Sequence, residues 1–514
     1  MTDMQEVENF EKKRVQVQEY PMLLRDVAPK LDKYWWHYPH LLKLNALLLG
    51  SVLVQTTTGY DGSLLNGLQS LTQWDSYFGN PTGPRLGTLS SGVTFGMLAI
   101  MIFTSWISDR FGRRWPIIVG SFVTIIGAIV QGAAVNFGMF WVGRFIIGVG
   151  LGALQVCAPM MLSETAYPTQ RAVVTSIYEP SFPFGALIAA VVTYGTYQIP
   201  STWAWRIPSL LQCFAAMLQI GFTSFCPESP RWLVHRGRVD EARAVLIKYH
   251  GGGDPNSPLV EFELREIVTA LEQEKLKKAS KWKEFVATKG NRHRLAIILF
   301  MPVITQLSGN QIVSYYLHLI LNSINITDTK DQLTINTTLL VVELVAAVLV
   351  ATYAEKIGRR RLFFIGILGM LGSFIIWTIL SALAKEGNYT NPALSLGVLV
   401  MIYFYVIFYH VIGPIAPTYI MEISPFSFRA KASTIFQVMS QAIGLYNSFV
   451  NPIAMGAISW NYYIVFLCVL SVQVVFVYFY FPEVQGYSLE EVALIFDGDE
   501  APGLGHVVRE EGHE

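Results

Sequence analysis

Twelve apolar runs, each long enough to cross a hydrocarbon layer, leave this chain few ways to fold. They lie near 42–65, 87–107, 115–135, 138–160, 172–196 and 205–226, then 295–321, 333–354, 362–383, 394–420, 432–456 and 461–481. About 20 apolar residues in a helix span a membrane core of roughly 30 Å. Inside that core every backbone amide must find its partner within the segment, which selects helices over open strands. Only 14% of the 514 residues are charged and the mean hydropathy is +0.40, whereas an ordinary soluble domain carries about 25% charged residues. The 37 basic and 37 acidic side chains cancel, so the electrostatic footprint of a nucleic-acid binder is missing. An all-α polytopic membrane protein is expected, with the lipid bilayer as its solvent.

The basic residues choose an orientation. Lys12, Lys13, Arg14 and Lys33 precede the first run, Arg110, Arg113 and Arg114 follow the second, and Lys356, Arg359, Arg360 and Arg361 follow the eighth. The opposite side holds little beyond Arg85, Lys330 and Lys385. Positive charge stays in the cytoplasm, so both termini are expected there, in a multi-pass protein of the plasma membrane. The first forty residues are charged and lack the apolar stretch of a cleavable signal. Glycosylation sequons at Asn325, Asn336 and Asn388 fall on the expected outer side, that at Asn336 close to the eighth run. Cys157, Cys213, Cys226 and Cys468 lie in or beside apolar runs without ligand spacing and are expected to be buried free thiols.

Residues 227–294 form one long polar break, with Leu264, Ile267, Val268 and Leu271 on one helical face and Glu261/Arg265 and Glu274/Lys278 spaced for pairing. The chain then divides into a cytoplasmic segment 1–41, a six-helix bundle 42–226, a cytoplasmic helical linker 227–294, a second bundle 295–482 and a cytoplasmic tail 483–514. The bundles repeat each other. Asp109-Arg-Phe-Gly-Arg-Arg114 is echoed by Glu355-Lys-Ile-Gly-Arg-Arg360, the pair Glu164 and Arg171 by Glu422 and Arg429, and Pro227-Glu228 by Pro482-Glu483. Offsets of 246, 258 and 255 residues describe a duplicated unit with a pseudo-twofold along the membrane normal. Sidedness explains the arginines but not the acids. Asp109, Arg113, Glu164, Arg171 and Glu228 in one half, with Glu355, Arg359, Glu422 and Arg429 in the other, are expected to form ion-pair networks that tie the inner helix ends and break when that face opens.

These motifs together resemble the sugar porter family of the major facilitator superfamily, over about residues 45–495. The likeness rests on Gly59-Tyr-Asp61, Gly143-Arg-Phe-Ile-Ile-Gly148, Pro227-Glu-Ser-Pro-Arg-Trp-Leu233 and Pro482-Glu-Val-Gln-Gly486, in that order and at those span ends. Trp203-Ala-Trp-Arg-Ile-Pro-Ser-Leu-Leu-Gln212, Gln306-Leu-Ser-Gly-Asn-Gln-Ile-Val-Ser-Tyr-Tyr316 and Asn447-Ser-Phe-Val-Asn-Pro452 are similar to the fungal lactose-permease and cellodextrin-transporter branch. The resemblance implies a twelve-helix secondary active sugar carrier of the major facilitator fold, acting as a monomer by alternating access, with sugar and protons as its partners and no cofactor. No metal cluster, phosphate loop or nucleophile constellation is present in the sequence, so an enzyme is not expected.

A charge at mid-membrane costs at least about 2.5–3.5 kcal/mol on insertion scales, so each one needs a reason. Asp61 and Arg144 fall at equal depth in the outer halves of spans one and four. In proton-coupled sugar porters the matching pair couples protonation to the cycle; a static pair stapling the first half is the alternative. Glu179 in span five and Glu343 in span eight replace amides that the family more often carries. Glu179 reads as a substrate ligand, a second proton site or a structural acid, and Pro180 and Pro183 beside it should distort the helix. The substrate set implied by the resemblance is Glu179, Gln306, Asn310, Gln311, Tyr315, Tyr316, Glu343 and Asn447. Thr305 and Gln311 stand where the family usually has Gln and Asn, and Gln212 where some proton-coupled relatives carry a second acid. Pro417 replaces a Trp that hexose carriers often have, which should widen the site and favours a disaccharide such as lactose or cellobiose; a hexose or pentose, a facilitative uniporter and a non-transporting sugar sensor are the alternatives. His410 reads as a packed and hydrogen-bonded helix residue, with a proton relay as the alternative.

Overall fold

The computed structural model describes residues 34–276, 282–425, 428–485, 492 and 495–497, without the side chains at 172, 273–276, 282, 284, 354–356 and 430. Span one is Pro39–Gln69, span two Gly83–Phe111, span three Arg114–Gly132, span four Phe137–Thr165 and span six Trp203–Phe225. Span five comes in two pieces, Arg171–Tyr178 and Ser181–Thr196. In the second half, span seven is Lys289–Gln306 with Asn310–Ser323, span eight Thr329–Ile357 and span nine Arg359–Glu386. Span ten is Pro392–Ile412 with Ile415–Ile423, span eleven Arg429–Ile458 and span twelve Tyr462–Tyr480. All twelve apolar runs are helical, most of them extended beyond the run because a helix carries its own hydrogen bonds into any solvent.

Three spans are interrupted, each for a reason visible in the sequence. Pro180 and Pro183 lack the amide hydrogen that would continue span five, and the helix divides at Glu179 and Pro180. Span seven breaks at Leu307–Gly309, where Gly309 has φ +99°; a Cβ there would sit 2.7 Å from the Phe374 ring, so no other residue fits. Span ten breaks at Gly413-Pro414.

Each half has its own core. Leu48, Ile147, Leu151, Leu154 and Met161 are buried together in the first, and Ile297, Ile304, Phe363, Phe374 and Tyr419 in the second. Across the pseudo-twofold, span one packs on span seven, span two on span eleven and span five on span eight. Ile102, Phe103 and Trp106 of span two and Phe122 of span three are exposed on the rim, where hydrocarbon would cover them. Cys157, Cys213 and Cys226 are buried as expected. Cys468 is not: it lies on the exposed side of span twelve, among Ile464, Val465 and Val472 that also face outward.

The linker places helices Pro230–His235, Val239–Tyr249 and Pro258–Leu276 at one end of the bundle, called inner below. Leu271 is buried and Leu264 packs beside Trp232 and Leu233, while Glu261 and Arg265 approach to 3.9 Å in the open. The Glu274/Lys278 pair, the 1–33 segment and the tail beyond 497 lie outside the described residues. His250 docks the linker: its Nδ1 is 2.6 Å from a Glu263 carboxylate oxygen, and its Nε2 3.2 Å from the Thr165 carbonyl that ends span four.

Of the three sequons, Asn325 and Asn388 are exposed in turns with positive φ. The expectation for Asn336 fails. Its side chain is 5% exposed inside span eight, and its Oδ1 accepts a hydrogen bond from Asn66 Nδ2 at 3.0 Å, so a glycan has no room. In a glycosylating host, Asn336→Gln should leave gel mobility and endoglycosidase sensitivity unchanged.

Candidate functional site

Between the halves lies a cavity of about 380 Å³. Spans one, two, four and five form one wall, and spans seven, eight, ten and eleven the other. Six residues expected to meet substrate line it: Glu179, Gln306, Asn310, Gln311, Tyr315 and Glu343, together with Asp61 and Arg144. Two others do not. Asn447 is buried behind the wall, where its Nδ2 donates to the Gln306 carbonyl at 2.6 Å. Tyr316 is 1% exposed, and its hydroxyl donates to the Ser448 carbonyl at 2.8 Å.

The break in span seven explains Asn447. A helix that stops in a membrane leaves carbonyls without amide partners, and these must be satisfied by side chains or water. Here Tyr409 donates to the Thr305 carbonyl at 3.1 Å, Asn447 to Gln306 and Tyr405 to Ser308 at 3.2 Å, while Gln473 adds a second donor at 3.1 Å to the Val303 carbonyl, which also accepts from the Leu307 amide. Spans ten, eleven and twelve thus hold the broken end of span seven open to the cavity. Residues the sequence reading passed over also face it: Gln55, Thr58, Gln155, Tyr409, Gln437 and Gln441. The signal was there, since Gln437, Gln441, Gly444 and Ser448 repeat at helical spacing along one face of an apolar span.

The outer end is closed. Asn66 donates to Asn336, Gln69 Nε2 to the Tyr315 carbonyl at 2.8 Å, and the hydroxyls of Tyr316 and Ser90 are 2.5 Å apart. Each joins spans one or two to spans seven or eight. The opposite walls run inward to Gln155, Pro417 and Phe436, so the arrangement faces the linker end.

Arg144 Nη2 lies 3.6 Å from Asp61 Oδ2, both groups almost fully buried. A clamped arginine–carboxylate pair is bidentate at about 2.7–2.9 Å. Here Asp61 Oδ1, Arg144 Nε and Arg144 Nη1 find no protein partner. Glu179 accepts from Gln55 Nε2 at 3.4 Å, and no base is paired with it among the described residues. Glu343 Oε2 is 3.9 Å from His410 Nε2, so His410, expected to be packed away, sits on the cavity wall.

At the inner ends the two halves mirror each other. Arg113 Nε meets Glu164 at 2.9 Å, and Arg359 Nη2 meets Glu422 at 2.8 Å. Glu228 accepts from the backbone amides of Arg113 and Ser229, both at 2.9 Å, and of Arg114; Glu483 does the same for Arg359 at 2.9 Å and Arg360 at 3.1 Å. A carboxylate at a helix N-terminus supplies the acceptor that the first turn lacks and meets its positive dipole end. Burial still pushes the Glu228 carboxyl above its ordinary value, with those backbone donors pulling the other way. Asp109 reaches only 3.9 Å from Arg113, Arg171 is exposed, Arg429 Nε donates to the Ser424 carbonyl, and the Glu355 side chain lies outside the described residues. The Arg113–Glu164 and Arg359–Glu422 pairs stay within one half each and are intact while the cavity faces inward. The expectation that they break on inner opening is therefore corrected, because two rigid halves can part without separating partners held inside either one.

Gly112 and Gly358 complete these corners, with φ of +90° and +104°. A Cβ on Gly112 would run into the Glu228 carboxylate, and one on Gly358 would lie 2.9 Å from Glu483 Oε2. Such backbone in a residue other than glycine costs about 1–3 kcal/mol. Gly112→Ala and Gly358→Ala should each lower the thermal midpoint of the purified protein, readable by dye-binding unfolding.

The family described as sugar (and other) transporters matches residues 47–496. The chain belongs to that family. It is 28% identical over 450 residues to the low-affinity glucose transporter HXT3 of Saccharomyces cerevisiae, covering 84% of this chain and 78% of the relative. Its identity to the galactose transporter of the same yeast is 27% over 424 residues, covering 81% and 72%. The inward-open xylose transporter XylE of E. coli superposes with a TM-score of 0.71 at 22% identity, covering 87% of this chain and 99% of that one. The fold is thus all-α, a twelve-helix major facilitator architecture, and the chain is a multi-pass membrane sugar transporter. These relatives are named for glucose, galactose or xylose rather than for lactose or cellodextrins.

Proposed function

We propose that this transporter moves a disaccharide into the cell together with a proton, by alternating access, from a plasma membrane in which the linker end faces the cytoplasm. One observation carries the reading: a cavity shared by both halves, sealed outside by bonds between them, has an acid and an arginine 3.6 Å apart on its wall without a bidentate clamp. A facilitative carrier has no need to bury that pair, since two mid-membrane charges are costly. A volume of about 380 Å³ lies in the usual range of small-ligand sites, about 300–1,000 Å³. Polar amides from spans one, seven and eleven, with the Tyr315, Tyr409 and Phe436 rings, offer the fixed donors, acceptors and flat apolar faces a sugar requires. Pro417 in that wall leaves room where an indole would close it.

A hexose is the second reading, favoured by the names of the relatives. The test is uptake of labelled lactose, cellobiose and glucose in a cell without its own carriers, with and without a protonophore. Accumulation of a disaccharide that the protonophore collapses supports the proposal. Glucose uptake alone, indifferent to the protonophore, would replace it with facilitated hexose transport.

A further inference from the structure

Glu343 and His410 form an acid–base pair on the cavity wall opposite Asp61, and hydrogen-bond direction fixes which ring nitrogen of His410 faces the acid. His410 Nδ1 lies 3.0 Å from the Val406 carbonyl, one turn earlier in span ten. A carbonyl only accepts, so Nδ1 carries hydrogen. Nε2 then points at Glu343 Oε2, 3.9 Å away, both side chains being largely buried. With His410 neutral and Glu343 ionised, a lone pair would face a carboxylate, two acceptors that a water can bridge with its two O–H groups but a sugar hydroxyl, with only one, cannot. One proton removes the conflict, either on Nε2 as imidazolium or on the carboxyl.

The spacing adds a second point. A direct hydrogen bond between these atoms would be about 2.7–3.2 Å, so the gap admits a bridging hydroxyl. A sugar hydroxyl both donates and accepts, and bridges Nε2–H to the carboxylate. His410 stands three residues before the Gly413-Pro414 break of span ten, whereas Glu343 is on the unbroken span eight, so a change in that bend alters the gap.

We propose that Glu343 and His410 together are a second proton-holding site, which binds a hydroxyl of the sugar when it carries its proton and releases it when the proton leaves. This rests on the sugar-transport reading but not on Asp61 as the coupling acid. No bond other than the N–H or O–H bond forms or breaks: the proton comes from cavity water and returns to it. The other titratable or charged groups facing this pair are Tyr409 beside it on span ten, Glu179 on span five, Tyr315 on span seven, and Asp61 with Arg144 on spans one and four; Tyr405, one turn back on span ten, donates to Ser308 behind the wall.

The experiment measures sugar affinity of the purified, de-energised protein between about pH 5.5 and 8.5, a window that brackets an imidazole. Labelled disaccharide is the probe, or glucose should that be the sugar transported. Asp61→Asn removes the other proposed proton site and is the reference. Its affinity should still fall about tenfold as pH rises through the window. His410→Gln on that background keeps a donor toward Glu343 but cannot take a charge, and should bind with affinity that no longer follows pH; Glu343→Gln on the same background should do likewise. An unchanged pH dependence in either double variant overturns the proposal. So does a flat profile in Asp61→Asn alone, which needs neither double variant to bind. If instead Asp61→Asn retains proton-driven accumulation, Asp61 is not the coupling acid, and the Glu343–His410 result stands or falls separately.

Discussion

Asp61→Asn should abolish accumulation of sugar against its gradient and leave exchange of sugar across the membrane running. With one proton per sugar, each pH unit of gradient is worth about 1.4 kcal/mol and supports about tenfold accumulation. The variant should fall to an internal-to-external ratio of about one, with sugar-induced alkalinisation of the medium lost. The reason lies in how loosely the pair is held. At 3.6 Å, with Asp61 Oδ1 and two guanidinium nitrogens lacking protein partners, Arg144 opposes protonation of Asp61 less than a bidentate clamp would. A static staple would instead keep its bonds, because breaking a well-made buried pair costs about 3–5 kcal/mol. The asparagine amide has nearly the shape of the acid it replaces but holds no exchangeable charge. Counterflow measured on the same vesicles separates lost coupling from lost protein: intact counterflow with no accumulation is the expected pair of results. Accumulation equal to that of the unaltered protein would leave the pair as a staple and end the assignment of Asp61 as the coupling acid.

Much of this architecture can be read from local pattern. Span positions, the duplicated halves and the breaks at Pro180 and Gly413-Pro414 follow from hydropathy, repeat offsets and proline chemistry, all properties of neighbouring residues. Asp61, Arg144, Glu179 and Glu343 are legible as cavity residues for one reason: a charge in hydrocarbon has nowhere else to go. Uncharged amides carry no such compulsion. Asn447 and Gln437 sit on the same span with the same residue chemistry, yet one caps a carbonyl behind the wall and the other faces the cavity. Only the break in span seven, far from both of them along the chain, decides which is which. Tyr316 and Asn336 fail for the same reason, since both are used to join the halves at the outer end. His410 fails differently: a histidine in an apolar helix is ordinary until its neighbour across the gap is known to be an acid.

Gly148→Leu should be among the costliest single changes to the fold in the first half. Lipid tails are as apolar as leucine, so helices in a bilayer associate through close packing rather than expulsion of water. Spans two and four achieve it by removing side chains. A Cβ on Gly148 would overlap the Val93 carbonyl, and one on Gly96 would overlap the Phe145 carbonyl, in each case backbone that cannot turn aside. Gly59 against Phe182 and Gly185 against Thr56 bring spans one and five together in the same way. Overpacking costs typically about 1–3 kcal/mol, and a leucine driven into backbone belongs at the upper end, about 3 kcal/mol. The separation it forces also moves Arg144, one turn from Gly148, away from Asp61, so residual protein should lose coupling as well as stability. Gly221→Leu is the control: nothing lies within 4 Å of a Cβ on that residue of span six, so the new side chain meets only lipid. Fluorescence-detected size exclusion after heating reads both. A sharp loss of monodisperse protein for Gly148→Leu beside an unchanged Gly221→Leu is expected, and equal midpoints for the two would show that spans two and four do not depend on this approach.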